Sequence, residues 1–350
     1  MPAAPTLPAL RGALTALAAA VLFGISTPLV QHFGLGIGSF TTAALLYAGA
    51  ALVGALLRQP VQREARLRRA DVPRLLWMAG FGAVIGPVAL AWGLQHTSGT
   101  SASLMLTLEA VFTAVLARAW YHETLDRRVA LAMALLTLGG MLLVFDRAAS
   151  GGGATLGLLA VTVATAAWGV DNTLSRALAE RDPGQVVMFK GALGALATTV
   201  LAFAFAEPAL RPLPAFALLA VGASGYGLSL RFYLLAQRAF GAARTGSVFA
   251  FAPFVGAALA VVMGERSGSV WMFGGAALML LGIVLHLAER HAHAHAHEAT
   301  LHEHAHTHDD GHHTHTHGVM PVGSHSHPHQ HAALRHAHAH VPDDHHTHRH

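Results

Sequence analysis

The chain contains no cysteine, which excludes disulfides and thiolate metal sites. Charged residues are also scarce, at 11% of the 350 residues, whereas soluble domains carry about a quarter. With 53% hydrophobic residues, the chain cannot cover itself with a polar surface. The shortage of charge therefore predicts a membrane protein whose main partner is the lipid bilayer.

Motifs of several enzyme classes are missing as well. The sequence has no Walker phosphate-binding loop, no H-E-x-x-H motif and no nucleophile constellation. These absences argue against an enzyme, against an ATP-driven pump and against any required cofactor. The basic residues fall between apolar runs, as they do in membrane proteins, so the basic pI does not indicate a nucleic-acid partner.

What the sequence does contain is a series of long apolar runs. A helix needs about 20 apolar residues to cross a bilayer core of about 30 Å. Ten segments meet this requirement: 12–32, 37–57, 74–95, 99–119, 128–146, 156–178, 185–206, 214–236, 243–263 and 269–289. They are rich in small residues, which let helix backbones approach closely in lipid. We therefore predict an all-α membrane protein of ten transmembrane helices.

The arginines predict its orientation. If the N-terminus is cytoplasmic, the connections on the inside carry 13 arginines and those on the outside carry 3. The densest inside connection is 58–73, which together with Arg74 holds six of them. The positive-inside rule then places both termini in the cytoplasm and the protein in a bacterial inner membrane.

An internal repeat relates the two halves of the chain. Residues 22–29 parallel 167–174 at an offset of 145, whereas 94–99 parallel 236–241 at an offset of 142. The helix ends 119–123 and 261–265 match at 142 as well, and we expect Glu123 and Glu265 there to cap or pair with loops. Five helices is an odd number, so the units 12–146 and 156–289 must lie inverted in the membrane, as in secondary transporters.

These stretches resemble the drug/metabolite transporter superfamily, EamA type. The matching residues are 22–31, 108–114 with Glu123, and 252–256 with Glu265. The resemblance implies ten helices in two inverted EamA repeats, solute movement by alternating access, and often export. The chain departs from the family pattern at Ala110, where a proline is usual, and at 42–47, where an arginine is common. A substrate role linked to that arginine does not carry over.

Charged groups within apolar spans are costly and are therefore functional candidates. Four qualify, namely Glu109, Asp171, Lys190 and Arg231. We expect Glu109 to act in proton or cation coupling and the other three to line a cavity for a polar solute. The alternative is structural: Lys190 and Arg231 reach the membrane surface or pair with Asp171.

Uncharged side chains extend this candidate site. Asn172 lies beside Asp171, and a lone amide in lipid would be unsatisfied, so we place it in the cavity. Trp168 and Tyr233 lie within spans, where they shape a pocket or simply pack between helices.

The last sixty residues, 291–350, contain 23 of the 27 histidines and few large apolar residues. This composition predicts a disordered cytoplasmic tail. Imidazole suits Zn, Ni, Co and Cu, so the tail is a candidate binder of a divalent metal. The candidate ligands are His291, His293, His295, His297, His302, His304, His306, His308, His312, His313, His315 and His317. A low-complexity expansion without a physiological ligand is the alternative.

Two functions follow from these features. The first is an ion-coupled inner-membrane transporter or exporter of a small solute, with a metal-binding regulatory tail. The second is a divalent-metal transporter whose tail loads or senses Ni, Co or Zn. A non-transporting metal sensor or buffer is a third reading. Because the spans contain few carboxylates, they favour the solute transporter, whereas the tail favours the metal transporter. The sequence leaves open whether the protein forms a homodimer.

Overall fold

The chain folds into a bundle of helices followed by short β-ribbons. The computed structural model describes residues 7–60, 63–121, 127–148, 152–178, 181–208, 211–240, 242–266, 268–287, 292–297, 300–306, 325–331 and 334–339. Their α-helices are α1 (Leu7–Gly34), α2 (Ser39–Leu56), α3 (Val72–Met78), α4 (Gly86–Leu94), α5 (Gly99–Met105), α6 (Leu108–Tyr121), α7 (Arg127–Ala148), α8 (Gly152–Ser175), α9 (Pro183–Ala204), α10 (Pro212–Val221), α11 (Ser229–Phe240), α12 (Ala242–Phe249), α13 (Ala252–Val262) and α14 (Val270–Leu287).

Eight helical stretches of the described chain are long and apolar enough to cross a membrane, and they coincide with the first eight predicted segments. The ninth and tenth segments correspond to shorter apolar helices, Ala252–Val262 and Val270–Leu285. The outside of the bundle is apolar: Leu56, Phe203 and Val270 are each more than 80% exposed. Because such a surface is unfavourable in water, the bundle is built for lipid.

Irregular helical segments recur at one spacing and mark the repeat. A π-helical segment, Ala79–Ile85, joins α3 to α4, and a second one, Gly222–Leu228, joins α10 to α11, at an offset of 143. The helix pairs α5–α6 and α12–α13 are each interrupted by two turn residues, at 106–107 and 250–251. The predicted repeat is therefore visible in the backbone. The first interruption persists although Ala110 replaces the usual proline.

Helices of one unit pack mainly on helices of the other. Helix α2 packs on α9, and α7 packs on α14. Helix α1 contacts α11 and α13, and its counterpart α8 contacts α4 and α6 in the same way. The units 12–146 and 156–289 are thus repeats that interlock around a shared core rather than two separate globular bodies.

The tail departs from the expectation of disorder in its described parts. Strand β1 (Ala292–His297) pairs antiparallel with β4 (Leu334–Ala339), and β2 (Thr300–His306) pairs antiparallel with β3 (His325–His331). The alternating His-x-His pattern has the two-residue period of a strand, which permits this pairing without a buried core. The composition of the tail predicted that it lacks an apolar core, but the disorder prediction did not take the two-residue period of the histidines into account.

Close helix crossings generate a testable prediction. A Cβ added at Gly222 would lie 2.0 Å from the carbonyl oxygen of Leu46, whereas one added at Gly80 meets nothing within 4 Å. We expect Gly222→Ala to destabilise the bundle by about 1–3 kcal/mol, because it overpacks two backbones. Gly80→Ala should be neutral or stabilising, because alanine favours helix by about 1 kcal/mol. Apparent melting temperatures in one detergent compare the variants, and equal melting would contradict the crossing.

Candidate functional site

The centre of the candidate site is a backbone carbonyl that its own helix cannot satisfy. In a π-helix each carbonyl accepts from the N–H five residues later, and for Gly82 that residue is Pro87, which has no N–H. The N–H of Gly86 is already donated to the preceding carbonyl. The Gly82 oxygen instead accepts hydrogen bonds from the Tyr47 hydroxyl and from the Trp168 indole, the latter at 3.0 Å. Because Pro87 has no N–H, the Gly82 carbonyl accepts instead from α2 and α8, and these two helices are joined to the π-helical segment.

A buried ion pair lies next to this carbonyl. The ammonium of Lys190 on α9 donates to Oδ2 of Asp171 on α8, and the two side chains are 3% and 6% exposed. The Asp171 carboxyl packs so closely on Gly82 that a Cβ there would lie 2.3 Å from it. Within the described chain, Oδ1 of Asp171 has no hydrogen-bond partner. One oxygen of a paired carboxylate is therefore left for another ligand.

Glu109 and Asn172 form a second polar contact beside the ion pair. The amide of Asn172 donates to Oε1 of Glu109, which lies in the first turn of α6 just after the interruption at 106–107. Asp171 and Asn172 are adjacent on α8, so one turn of this helix connects to both α9 and α6. The structure brings Glu109, Asp171, Asn172 and Lys190 together, and the Lys190–Asp171 contact is the pairing that the structural alternative predicted. Their role in binding or coupling stays a prediction.

Aromatic rings surround this polar group. Phe23 packs edge-on against Trp168 and Tyr226, with ring centroids 5.6 Å and 5.8 Å apart. Tyr226 also packs on Tyr47 at 5.5 Å, and its buried hydroxyl has no partner among the described residues. Trp168 therefore belongs to the site through both its ring and its N–H. Phe23 was not among the residues predicted for the site, because an apolar ring within an apolar span does not stand out.

Tyr233 and Arg231 both lie on α11, and the charges of Glu109 and Asp171 act on the hydroxyl of Tyr233. Tyr233 is buried and packs on Phe249, with centroids 5.0 Å apart. Arg231 is partly buried with an unpartnered Nε, and its charge acts on Glu64 in the connection after α2. No contact that the structure describes joins Arg231 to Asp171. The predicted place of Arg231 in a cavity beside the ion pair therefore stays a prediction.

The two units carry unequal chemistry at equivalent positions. Ser26 matches Asp171 at the offset of 145, and it packs on Gly225 as Asp171 packs on Gly82. A Cβ at Gly225 would lie 2.4 Å from the Cβ of Ser26. The glycine crossing is therefore repeated, while the charge is present only in the second unit.

At one end of the bundle, carboxylates of the second unit accept hydrogen bonds from helix N-termini of the first unit. Glu265 accepts from the N–H groups of Gly99 and Thr100 at 2.6 Å and 2.8 Å, and so caps α5. The preceding Gly264 has a φ of +106°, which favours glycine and turns the chain back after α13. Glu207 caps α2 in the same manner. The predicted cap at Glu265 is confirmed, whereas Glu123 lies outside the described residues.

Salt bridges close the other end. Arg238 pairs with Glu64 at 2.7 Å, and Arg181 pairs with Asp71 at 2.9 Å. The N–H of Asp182 also donates to the Ala65 carbonyl at 2.8 Å. Burial raises the pKa of Glu64 even though Arg238 acts in the opposite direction. Sequence reasoning used these arginines only for orientation, because nothing in the chain order shows which carboxylate each one meets.

The predicted metal ligands fall largely outside what the structure describes. His291, His308, His312, His313, His315 and His317 are among the undescribed residues, and only the backbone is described for His293, His295, His297, His302, His304 and His306. Among the side chains that are described, no three His, Asp or Glu residues are grouped to hold a metal ion. The metal site therefore stays a prediction.

The ion pair generates a second testable prediction. Lys190→Met should lower stability by about 3–5 kcal/mol, because it leaves Asp171 charged and unpaired in the core. The double variant Asp171→Asn/Lys190→Met should recover most of this loss, since neither charge remains. Melting of the detergent-solubilised proteins at constant pH gives the comparison. A double variant as unstable as Lys190→Met would show that the pair is not the cause.

Comparison with known proteins agrees with this architecture. The chain is 26% identical over 298 residues to an uncharacterized transporter of Methanothermobacter thermautotrophicus, covering 79% of this chain and 86% of that protein. A protein of known crystal structure shares the fold with a TM-score of 0.56 at 20% identity, covering 78% of this chain and 94% of that one. The model of the EamA-like transporter family matches residues 10–145 and 155–288. This multi-pass membrane protein belongs to the EamA-like transporter family.

Proposed function

We propose that this transporter is an ion-coupled secondary exporter of a small polar solute, which binds beside the Asp171–Lys190 pair. The supporting observation is the free oxygen of Asp171, which is buried next to a basic group and a ring of aromatic side chains. A buried carboxylate oxygen without a donor is costly and therefore suits a site that a polar ligand completes. The ring faces nearby suit the apolar part of such a ligand.

Glu109 is the proposed coupling group. It lies one helix away from Asp171 and is held by a neutral amide rather than by a cation. A carboxyl in that setting can gain and lose a proton without breaking a salt bridge. Binding of a proton or another cation at Glu109 would then alter the charge that the solute meets at Asp171.

Alternating access follows from the two closed ends. Each end is held by bonds between the units: Glu265 to α5 and Glu207 to α2 at one end, and Arg238 to Glu64 and Arg181 to Asp71 at the other. Breaking one set while keeping the other would open the ion pair to one side of the membrane. Inverted repeats interconvert two such states by exchanging the conformations of their units.

The topology belongs to the same proposal. The helices Ala252–Val262 and Val270–Leu285 complete ten spans when α12 is joined to α13. With this count and the arginine bias, both termini lie in the cytoplasm of a bacterial cell, and the salt-bridged end is the cytoplasmic end. The histidine-rich tail then binds divalent metal in the cytoplasm and regulates transport.

A divalent-metal transporter is the second candidate, and the tail is what favours it. Twenty-three histidines in sixty residues could load Ni, Co or Zn toward the bundle. The described side chains of the bundle offer no group of three metal ligands to receive the ion. We therefore prefer a small organic solute to a metal ion as the substrate of the helical bundle.

The coupling role of Glu109 is tested by Glu109→Gln. Proteoliposomes with a pH gradient are exposed to amino acids, polyamines, Ni²⁺ and Co²⁺, and the transport current is recorded. For whichever probe drives current in the native protein, we expect Glu109→Gln to lose pH-driven current and to retain solute exchange, since the amide binds no proton. Asp146→Asn is the control: it removes a carboxylate near the end of α7 that belongs neither to the site nor to the closing bonds, and it should keep the pH-driven current. Unchanged current in Glu109→Gln would remove this residue from coupling.

The tail is tested by deleting residues 291–350. The deleted protein should insert and fold, because the described tail makes its ribbons with itself. We expect purified full-length protein to bind Zn²⁺ or Ni²⁺ near neutral pH and to lose the metal below about pH 6, because the imidazoles become protonated. The deleted form should bind neither metal. Cellular Ni, Co, Zn and Cu contents are measured for both forms. A metal content that changes with the full-length protein and reverts on deletion would favour the second candidate.

A further inference from the structure

A pocket of about 500 Å³ lies away from the ion pair, at the end of the bundle that carries the salt bridges. It is formed where the chain leaves α2 and where α9 begins. Its lining residues are Arg58, Gln59, Pro60, Arg66, Leu67, Gln185 and Phe189. Two guanidinium groups and an aromatic ring line this cavity, so a ligand with an anionic group and an apolar part would match it.

The walls of the pocket are fixed by internal hydrogen bonds. The side chain of Gln185 accepts from the N–H of Leu67 at 3.1 Å, and the buried Asp182 accepts from the N–H of Gln59 at 3.1 Å. Gly184 lets the backbone of Arg58 approach α9, since a Cβ there would lie 2.7 Å from the Arg58 Cα. The connection after α2 is therefore held against α9 as a built surface.

The two arginines of the pocket are not neutralised within the described chain. Both side chains are exposed, and neither has a hydrogen bond or an ion pair to a described residue. The acidic groups that the structure describes at this end have other partners: Glu64 holds Arg238, Asp71 holds Arg181, and Asp182 accepts from backbone N–H groups. Arg58 and Arg66 thus leave a local positive charge that suits an anion, and guanidinium pairs bind phosphate with good geometry.

The apolar side of the pocket opens toward lipid. Phe189, in the second turn of α9, is 45% exposed, and Leu56 at the end of α2 is 81% exposed. A soluble anion would make no favourable contact with these apolar side chains, whereas the acyl chain of a lipid would pack against them. On the proposed orientation, this end faces the cytoplasmic leaflet, where anionic lipids lie.

We propose that this pocket binds the phosphate of an anionic phospholipid of the cytoplasmic leaflet, with Arg58 and Arg66 on the headgroup and Phe189 against the acyl chain. The proposal depends on the orientation and not on the transported solute. It can therefore fail or succeed independently of Glu109 and the ion pair.

The test is native mass spectrometry of the full chain, released from detergent after titration with phosphatidylglycerol or phosphatidylcholine. We expect the native protein to retain phosphatidylglycerol preferentially. Arg58→Ala/Arg66→Ala should weaken that retention by about thirtyfold, roughly a factor of five for each arginine. The matched control is Arg69→Ala/Arg74→Ala, which removes the same charge from exposed positions outside the pocket and should change retention by less than about threefold.

Two further arms identify the source of the phosphate. Phe189→Ala should weaken phosphatidylglycerol retention, and millimolar inorganic phosphate or glycerol phosphate should compete poorly. Equal weakening in both arginine pairs would show a general attraction to the charged surface and overturn the pocket. Full competition by inorganic phosphate, with no effect of Phe189→Ala, would assign the site to a soluble anion instead of a lipid. Size-exclusion profiles confirm that each variant is folded.

Discussion

A charge inside a membrane protein must find its counter-charge within the same protein, and the helices around Asp171 are arranged to supply it. Lys190 is the only lysine of the chain, and it lies on α9 facing this carboxylate. Helix α9 packs on α2, which also contributes Tyr47 to the Gly82 carbonyl. Both members of the pair lie in the second unit, and the packing of α9 on α2 of the first unit contributes to the position of Lys190.

The same interlocking governs how the protein can move. Since α1 packs on α11 and α13, and α8 on α4 and α6, no hinge divides the chain at its midpoint. Motion has to occur by rearrangement within each unit. The π-helical segments and the interruptions at 106–107 and 250–251 are places where regular hydrogen bonding is already broken, so bending there costs least. Glu109 follows one such interruption directly, so the carboxyl that we propose for coupling lies beside a segment where bending costs least.

Much of this fold was predictable from sequence, for a specific reason. Spans in lipid must be long, apolar and helical, so the apolar runs locate the eight long spans of the described chain within a few positions. The repeat was predictable because its motifs recur at nearly one offset. The four polar residues Glu109, Asp171, Asn172 and Lys190 were found because polarity within an apolar run is conspicuous. These signals are local in the sequence.

Features that depend on partners far apart in the chain were not predictable in this way. The acceptor role of Gly82 requires Pro87 together with a π-helical turn, and periodicity does not reveal such a turn. Arg231 shares the charge of Lys190 and a similar depth, yet the carboxylate on which its charge acts is Glu64, because depth says nothing about which side chains a helix face meets. The pairing of Arg238 with Glu64 joins residues 174 positions apart.

The unequal chemistry of Ser26 and Asp171 has a thermodynamic consequence. If the two inverted units were identical, a two-fold rotation about an axis in the membrane plane would relate the inward-open and outward-open conformations, and their free energies would be equal. Here one unit presents a hydroxyl where the other presents a charged pair, so the degeneracy is broken in the empty protein. On the proposed alternating-access mechanism, the empty protein then favours one orientation, which changes the apparent affinity for solute at each face of the membrane, while the gradients set the net direction of transport.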